Sequence, residues 1–276
     1  MRKLILVSSF VSLILVYKYK FVFKVDYVGI NLIYETEAGK NQLAFFMATL
    51  LPFCIFYASE KSLSRLEKLI NFICLTILIA TSILIDSRGV IVSITTSIII
   101  TSILTKDKKI IYKLFTVIII ITSLIKYSPL GYKQEAYTDI YVSSSNTIRA
   151  RLIEESLATS IKNLGIGIGL GDFNQIPKKL GLSVLISHND YIQILVELGF
   201  LGLITFLAMI YRFINNIISI KNVVNRKNIY LYRGIISSNI SILVYLLFIN
   251  SYNILLVWFI YGLSMAFYNY HIRTSE

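Results

Sequence analysis

The sequence predicts an all-α, polytopic integral membrane protein with about eight transmembrane helices and one long extracytoplasmic loop that contains short helices. Composition is the first observation behind this prediction, since 56% of the 276 residues are hydrophobic and only 15% are charged. A soluble domain usually has about 25% charged residues. The second observation is that long apolar runs alternate with short basic clusters, as in chains that cross a hydrocarbon core about 30 Å thick several times. Together they exclude an ordinary cytosolic enzyme.

Eight apolar segments are candidate spans, although several are shorter than the roughly 20 residues of a full crossing. They are residues 3–17, 43–59, 69–85, 89–104, 110–126, 191–211, 234–250 and 253–269. The first is followed by Tyr17-Lys18-Tyr19-Lys20 without a small-residue cleavage pattern, so we interpret it as a retained span and not a signal peptide. The segments divide one membrane domain into a five-span bundle at 1–126, an extracytoplasmic loop at 127–187 and a three-span bundle at 188–276.

The basic residues predict the orientation of these spans. In a membrane protein a net charge of +12 indicates cytoplasmic loops and contacts with anionic lipid headgroups, so no nucleic acid partner is expected. If the N-terminus is cytoplasmic, the short inner connections hold the majority of the Lys and Arg residues, which favours both termini in the cytoplasm. The weak point is the outer connection 18–42, which contains four lysines. The long loop and the turn Asp86-Ser87-Arg88-Gly89 then lie on the extracytoplasmic face.

The cysteines and histidines give no reason to expect a metal or a cofactor. Cys54 and Cys74 lie in separate apolar stretches with no second Cys or His at ligand spacing, so we interpret them as core thiols. His188 and His271 are the only histidines and cannot be paired at the spacing of a zinc site. The sequence therefore predicts neither a disulfide framework nor a metal centre.

The long loop contains one amphipathic pattern. Residues 129–147 read as irregular because they contain Pro, Gly and a run of Ser and Asn. From Thr147 the spacing is helical, with an apolar stripe made of Ile153, Leu157, Ile161 and Leu164. We expect this stripe to be the buried face of the helix.

Two arginines of this helix have different surroundings. Arg151 precedes Glu154 and Glu155 by three and four residues, which indicates either a surface ion pair or a contribution to substrate binding. Arg149 lies about 40° from the apolar stripe and has no acidic residue three or four positions away. A guanidinium beside a buried face is suited to holding an anion such as phosphate. Snorkelling to lipid headgroups is the alternative.

A run with glycine at every second position, Gly165 to Gly171, follows this helix. It has neither the spacing nor the strand-to-helix setting of a dinucleotide-binding loop, so we reject nucleotide binding. Alternating glycines instead predict a tight turn and a close approach of the backbone to a helix or a glycan.

The sixth span begins at the tetrapeptide Ser187-His188-Asn189-Asp190. Ser, Asn and Asp are residues that cap helices, so a structural role is one interpretation. The tetrapeptide also contains His188, and an imidazole with an ordinary pKa of about 6.5 can act as base for a hydroxyl nucleophile. Glu197 lies inside the span, where an ionisable group is a functional hypothesis, and it shares a face with Asp190. Gly199 and Gly202 favour close helix contact.

Separated stretches of the chain match one family pattern over most of residues 39–215. The matching pieces are Gly39-Lys40-Asn41-Gln42-Leu43-Ala44 with Leu51-Pro52, then Ser87-Arg88-Gly89, then Arg149 followed by Gly167-Ile168-Gly169-Leu170-Gly171-Asp172-Phe173, and finally His188-Asn189-Asp190-Tyr191 continuing through Glu197-Leu198-Gly199 to Gly202. In these pieces the chain resembles the C-terminal part of the O-antigen ligase and Wzy-type polysaccharide polymerase superfamily. Members usually carry more spans before the Asn41 segment, so the chain is expected to be a compact variant or a fragment.

The resemblance implies an inverting, metal-independent glycosyl transfer at the outer face of the bacterial cytoplasmic membrane. An undecaprenyl-diphosphate-linked oligosaccharide is the implied donor, a glycan is the acceptor, and other polysaccharide-assembly membrane proteins are possible partners. The implied catalytic residues are His188 as base, with Arg88 and Arg149 as cations for the diphosphate. The implied substrate-binding residues are Asn41, Arg151, Asn189, Asp190 and Glu197.

Three functions remain open at this point. A polymerase would join lipid-linked repeat units into an O-antigen or a capsule, whereas a ligase would move a finished glycan to another acceptor such as lipid A. A flippase or transporter without chemistry would require internal repeats and charged residues along several spans. The sequence shows no convincing repeat, and its spans are nearly free of charge apart from Glu197. The polymerase is therefore the first hypothesis.

Overall fold

The computed structural model describes residues 33–58, 63–84, 88–106, 147–181, 189–225, 228–249 and 255–274. Within these ranges the backbone forms helices and turns but no strand, which confirms the predicted all-α class. The predicted segments 3–17 and 110–126 lie outside the described residues, so the number of eight spans stays a prediction.

The described helices are numbered in chain order. They are α1 (Ile33–Ala58), α2 (Arg65–Leu84), α3 (Arg88–Thr105), α4 (147–162), α5 (Gln175–Lys179), α6 (Asp190–Ser219), α7 (Ile229–Tyr245) and α8 (Leu255–Arg273). Single-turn 3-10 helices, Asp172–Asn174 and Ile220–Asn222, precede α5 and follow α6. Six of the predicted apolar segments coincide with α1, α2, α3, α6, α7 and α8, and the helix predicted from Thr147 is α4.

One helical segment in the described ranges, Asp190–Asn222, is long and apolar enough to cross a membrane. Only 39% of its apolar window is buried inside the protein, so most of this surface faces outward, unlike that of a core helix in a soluble domain. Two shorter apolar helices, Ala44–Phe56 and Gly89–Thr105, accompany it. Apolar side chains that face outward over this length indicate a membrane protein.

The start of α2 illustrates how local sequence defines a helix end. The Ser64 backbone N–H donates to Oε2 of Glu67 at 2.9 Å, and the Glu67 N–H donates back to the Ser64 hydroxyl at 3.3 Å. This reciprocal pair is a capping box, which satisfies donors that a helix N-terminus leaves unpaired.

Contacts between Cα atoms divide the chain into two units. The bundle unit comprises the described residues of Met1–Ile111, Phe213–Tyr245 and Asn253–Glu276, and the loop unit comprises those of Tyr112–Arg212 and Leu246–Tyr252. The boundaries predicted at 126 and 187 fall in or next to stretches outside the described residues, so that three-part division stays a prediction.

The core of the bundle unit lies where α7 packs against α1 and α3. Small polar residues make this close packing possible, because they let helix backbones approach each other. The Ser238 hydroxyl donates to the Thr49 carbonyl at 2.6 Å, and the Ser237 hydroxyl donates to Oγ of Ser97 at 3.1 Å. Gly234 faces the ring of Phe53. Cys54 and Cys74 are buried free thiols, as predicted.

Candidate active site

The predicted site residues differ in how much of each the structure describes. His188 lies outside the described residues. Asn41 lies in α1 and Arg88 begins α3, but their side chains are outside the described part of the chain. The side chains of Arg149, Arg151, Asn189, Asp190 and Glu197 are described, and all of them belong to the loop unit. The implied catalytic role of Arg88, Arg149 and His188 in one site therefore stays a prediction.

Helix α4 packs with a face other than the predicted one. Its buried side chains are Leu152, Ser156 and Ser160, and Leu152 joins a small core with Phe173, Ile176 and Val196. The stripe expected to be buried instead becomes exposed toward the end of the helix, where Leu157, Ile161 and Leu164 face outward. The expectation was wrong because periodicity identifies an apolar stripe without showing which medium the stripe faces.

The two arginines of α4 are placed differently. Arg149 is half-buried and Arg151 is exposed. Glu155, one of the two carboxylates predicted as partners of Arg151, pairs with Lys179 of α5 instead. The hydrogen bond from Lys179 lowers the pKa of the Glu155 carboxyl. This pair links α4 to α5 on the exposed side of the loop unit.

Helix α4 ends in a Schellman motif. The Gly165 N–H donates to the Ser160 carbonyl at 2.8 Å, and the Leu164 N–H donates to the Ile161 carbonyl at 3.0 Å. These bonds satisfy carbonyl groups that the last helical turn leaves open. Leu164 has φ 53°, a left-handed conformation that costs a non-glycine residue roughly 1–2 kcal/mol.

The glycine turn, residues 165–169, docks onto a break in α6. Gly199 has φ 71° and ψ −169°, so the helix is interrupted there. In a continuous helix the Phe200 N–H would donate to the Val196 carbonyl. Here the Val196 carbonyl accepts from the Ile168 N–H at 2.9 Å, and the Phe200 N–H donates to the Gly165 carbonyl at 2.8 Å. The turn thus replaces helix hydrogen bonds that the break removes.

Glycine is required on both sides of this contact. A Cβ at Gly167 would lie 2.6 Å from the Glu197 carbonyl oxygen and 2.7 Å from the Gly199 nitrogen. A Cβ at Gly199 would overlap the carbonyl oxygen of Gly165, and its backbone conformation is one that essentially only glycine adopts. The predicted close approach to a helix is therefore confirmed for the glycine run. Gly199 breaks its own helix, which the sequence analysis did not predict.

The start of α6 is defined by Asn189. Its Oδ1 accepts from the Ile192 N–H at 3.1 Å, which makes it the N-cap and confirms the helix-starting interpretation. Asp190 is completely buried, and its backbone N–H donates to the Leu246 carbonyl at 2.9 Å. A carboxylate in the first helical turn is also favoured by the helix dipole. These bonds fix Asn189 and Asp190, the two residues that follow His188 in the sequence.

Glu197 lies immediately before the break and is only 2% exposed. Its Oε1 accepts from Nε2 of Gln193 at 3.0 Å, and its backbone carbonyl accepts from the Gly169 N–H at 3.1 Å. Gln193 and the main chain of the glycine turn were missed by the sequence analysis. The spacing of Gln193, four residues before Glu197, is the signal that indicates the side-chain bond.

The loop unit therefore combines a half-buried guanidinium with two buried carboxyl groups. A guanidinium can bind a phosphate oxygen pair, and a held carboxylate can orient a sugar hydroxyl or a neighbouring side chain. Among the residues that the structure describes, no three His, Cys, Asp or Glu side chains lie close enough to hold a metal ion.

Comparison with known proteins gives one finding. Residues 72–207 match the family model described as O-antigen ligase, and no curated protein matches the chain. The matched region begins in α2 and ends within α6, so it includes Arg88, Arg149 and the whole glycine turn. The match confirms the resemblance found in the sequence, because residues 72–207, just under half of the chain, match the O-antigen ligase family model.

Proposed function

We propose that the protein polymerises undecaprenyl-diphosphate-linked oligosaccharide repeats into a surface polysaccharide at the outer face of the bacterial cytoplasmic membrane. The family match supports a glycosyltransferase of the ligase and polymerase type and a lipid-linked glycan substrate. The apolar helices support a membrane setting. The choice of a growing glycan as acceptor belongs to the proposal.

In the proposed reaction, a hydroxyl group of the acceptor sugar attacks the anomeric carbon of the donor. A new C–O glycosidic bond forms as the bond between this carbon and the diphosphate oxygen breaks, with inversion at the carbon. The hydroxyl proton passes to His188, and undecaprenyl diphosphate leaves with the electron pair. Arg88 and Arg149 stabilise the negative charge that develops on the diphosphate, so no metal ion is needed.

The other site residues position the base or bind the acceptor. Asn189 caps α6 directly after His188, and Asp190 anchors the same helix start to the Leu246 carbonyl. Both residues therefore position the proposed base. Glu197, held by Gln193, orients the acceptor, and Arg151 and Asn41 contribute to substrate binding.

The observation that carries this proposal is the main-chain contact between the glycine turn and α6. This contact joins the end of the helix that bears Arg149 to the helix that begins two residues after His188. His188 and Arg149 can accelerate the glycosyl transfer only if both are held in a fixed geometry before the reaction. A turn that replaces helix hydrogen bonds supplies such rigidity.

The test is chain extension by purified protein in liposomes that contain the lipid-linked repeat unit, with product length measured by gel electrophoresis. His188→Ala and Arg149→Ala should abolish chain extension while membrane insertion persists. Arg88→Lys should lose most activity because an ammonium lacks the bidentate fork, and Arg151→Ala should lose much less. Lys178→Ala, an exposed basic residue of the loop unit, is the matched control and should behave like the unsubstituted protein.

The outcomes distinguish the candidate functions. Long glycans on the lipid carrier support the polymerase, and their loss in His188→Ala and Arg149→Ala supports the site. Transfer of a preformed glycan to lipid A, with no lengthening of single repeats, would identify a ligase. Extension that continues after removal of both His188 and Arg149 would refute the proposed site.

A further inference from the structure

The outward face of α4 is unusual for a helix in an aqueous loop. Ile161 is 72% exposed and Leu164 is 85% exposed, while the small residues Ser156 and Ser160 face the interior. Both buried hydroxyls bond back to their own helix, to the Leu152 and Ser156 carbonyls. Helices that pack against each other in lipid have this arrangement, with small residues in the contact between helices and large aliphatic residues on the outward face.

Most of the exposed charged residues of α4 lie to one side of the apolar face, and Glu154 is the nearest of them, about 60° around the helix from Leu157. At about 100° per residue, Arg151 and Lys162 lie about 120–140° around the helix from Leu157, and both are exposed. The Glu155–Lys179 pair lies on the same charged side. The helix thus has a buried face, an apolar outward face and a charged outward face. An amphipathic helix at a bilayer surface has this division, with its charges toward water and its aliphatic side chains in lipid.

The apolar outward face continues from α4 onto α6. Ile166 is 77% exposed, and its neighbour Gly165 lies against the ring of Phe200. Beyond Phe200, Leu201 and Ile204 are exposed on the same helical segment that is long and apolar enough to cross a membrane. The apolar surface of the glycine turn is therefore next to an exposed apolar surface on a helical segment that is long and apolar enough to cross a membrane.

The conformation of Leu164 supports the same conclusion. Its positive φ is ordinary for glycine or asparagine and unfavourable for a bulky side chain. Transfer of the exposed isobutyl group of Leu164 from water into hydrocarbon is favourable and would offset the backbone strain.

We propose that the apolar face made of Leu157 and Ile161 in α4, Leu164 directly after it and Ile166 in the glycine turn is inserted among the acyl chains of the outer leaflet. The connection predicted as an extracytoplasmic loop then includes an interfacial helix whose half-buried Arg149 is held at headgroup depth. Under the proposed function, on which this last step rests, a lipid-bound diphosphate reaches Arg149 along the membrane surface without leaving the bilayer.

The test uses the fact that the chain has a single tryptophan, Trp258, which Phe can replace. Ile161→Trp and Lys162→Trp place a reporter on adjacent residues that face different sectors, and Leu164→Trp provides a second apolar position. The proteins are reconstituted in vesicles of phosphatidylcholine and phosphatidylglycerol with or without brominated acyl chains. If Trp258→Phe lowers the yield, Trp258 is retained and the emission of the unsubstituted protein is subtracted from that of each Trp variant.

We expect brominated chains to quench the reporters at 161 and 164 at least twofold more than the reporter at 162, which aqueous acrylamide should quench instead. Acrylamide quenching of all three reporters, without quenching by brominated lipid, would overturn the insertion. Protection from both quenchers together with crosslinking between chains at residue 161 would assign the face to a second copy and would also overturn it. The readout needs no substrate, so its failure is distinguishable from failure of the proposed function.

Discussion

The bundle unit and the loop unit are each stabilised by a different kind of internal contact. In the bundle unit, regular helices are joined through side chains, such as the Ser238 hydroxyl on the Thr49 carbonyl. In the loop unit, the main chain of the glycine turn bonds directly to the main chain of α6 through Gly165, Ile168 and Gly169. The side-chain contacts require particular residues that can donate or accept a hydrogen bond. The main-chain contacts require glycine, because a Cβ at Gly167 or Gly199 would overlap backbone atoms.

This difference determines how each unit responds to substitution. A lost side-chain hydrogen bond in a membrane protein costs about 0.6–2 kcal/mol, and the surrounding helices keep their own backbone bonds. A Cβ inserted into a main-chain contact displaces a segment and breaks several bonds together. The loop unit should therefore respond far more strongly to small changes than the bundle unit.

Gly199→Ala should have the largest effect. The new Cβ overlaps the Gly165 carbonyl and forces an unfavourable backbone conformation, so the contact with the glycine turn is lost at a cost of roughly 3–5 kcal/mol. Hydrogen–deuterium exchange should become fast at the amides of Ile168, Gly169 and Phe200. Gly262→Ala in α8, where a Cβ meets no atom within 4 Å, is the control. Unchanged protection in Gly199→Ala would contradict the main-chain contact.

Ser238→Ala should have an intermediate effect in the bundle unit. Its buried hydroxyl donates to Thr49, and removal of this bond should lower the free energy of unfolding by about 1 kcal/mol. Titration of folded protein with SDS measures this change. Ser241 lies on the same helix and is equally buried, but its hydroxyl has no hydrogen-bond partner among the described residues. Ser241→Ala should therefore cost much less, and equal costs would remove the assigned role of the Ser238 bond.

Glu155→Gln should have the smallest effect at neutral pH, because the pair with Lys179 is solvent-exposed. Since the folded-state pKa of Glu155 is lowered, its contribution is present above the unfolded-state pKa and is lost as the pH falls through the folded-state pKa. The unsubstituted protein should therefore lose slightly more stability than Glu155→Gln between neutral and strongly acidic pH. Parallel stability curves for the two proteins over this range would show that the pair contributes nothing.

The sequence was sufficient to predict the features that depend on local chemistry. Apolar segments gave the positions of the described hydrophobic helices, and Asn189 was recognisable as a helix start. The alternating glycines indicated a close backbone approach, and Gly167 makes one. Each of these features follows from residue type and spacing within a few positions.

The sequence was insufficient for features that depend on a distant partner or on the surrounding medium. The break at Gly199 is stable because residues 165–169 replace its missing bonds, and no local signal reports a partner some 30 residues away. Lys179 is likewise 24 residues from Glu155. The apolar stripe of α4 was recognised, but periodicity is the same for a core and for lipid.

The interruption of α6 also has a mechanical consequence. A continuous helix transmits axial load along its own hydrogen-bond ladder, but at Gly199 the carbonyl of Val196 and the N–H of Phe200 are engaged by the glycine turn. Part of any tension on the segment after Gly199 is therefore transmitted to the end of α4, through the hydrogen bond between the Phe200 N–H and the Gly165 carbonyl. In this respect α6 consists of two helical segments joined at Gly199, and the second segment is bonded to the end of the Arg149 helix through the Phe200 N–H and the Gly165 carbonyl.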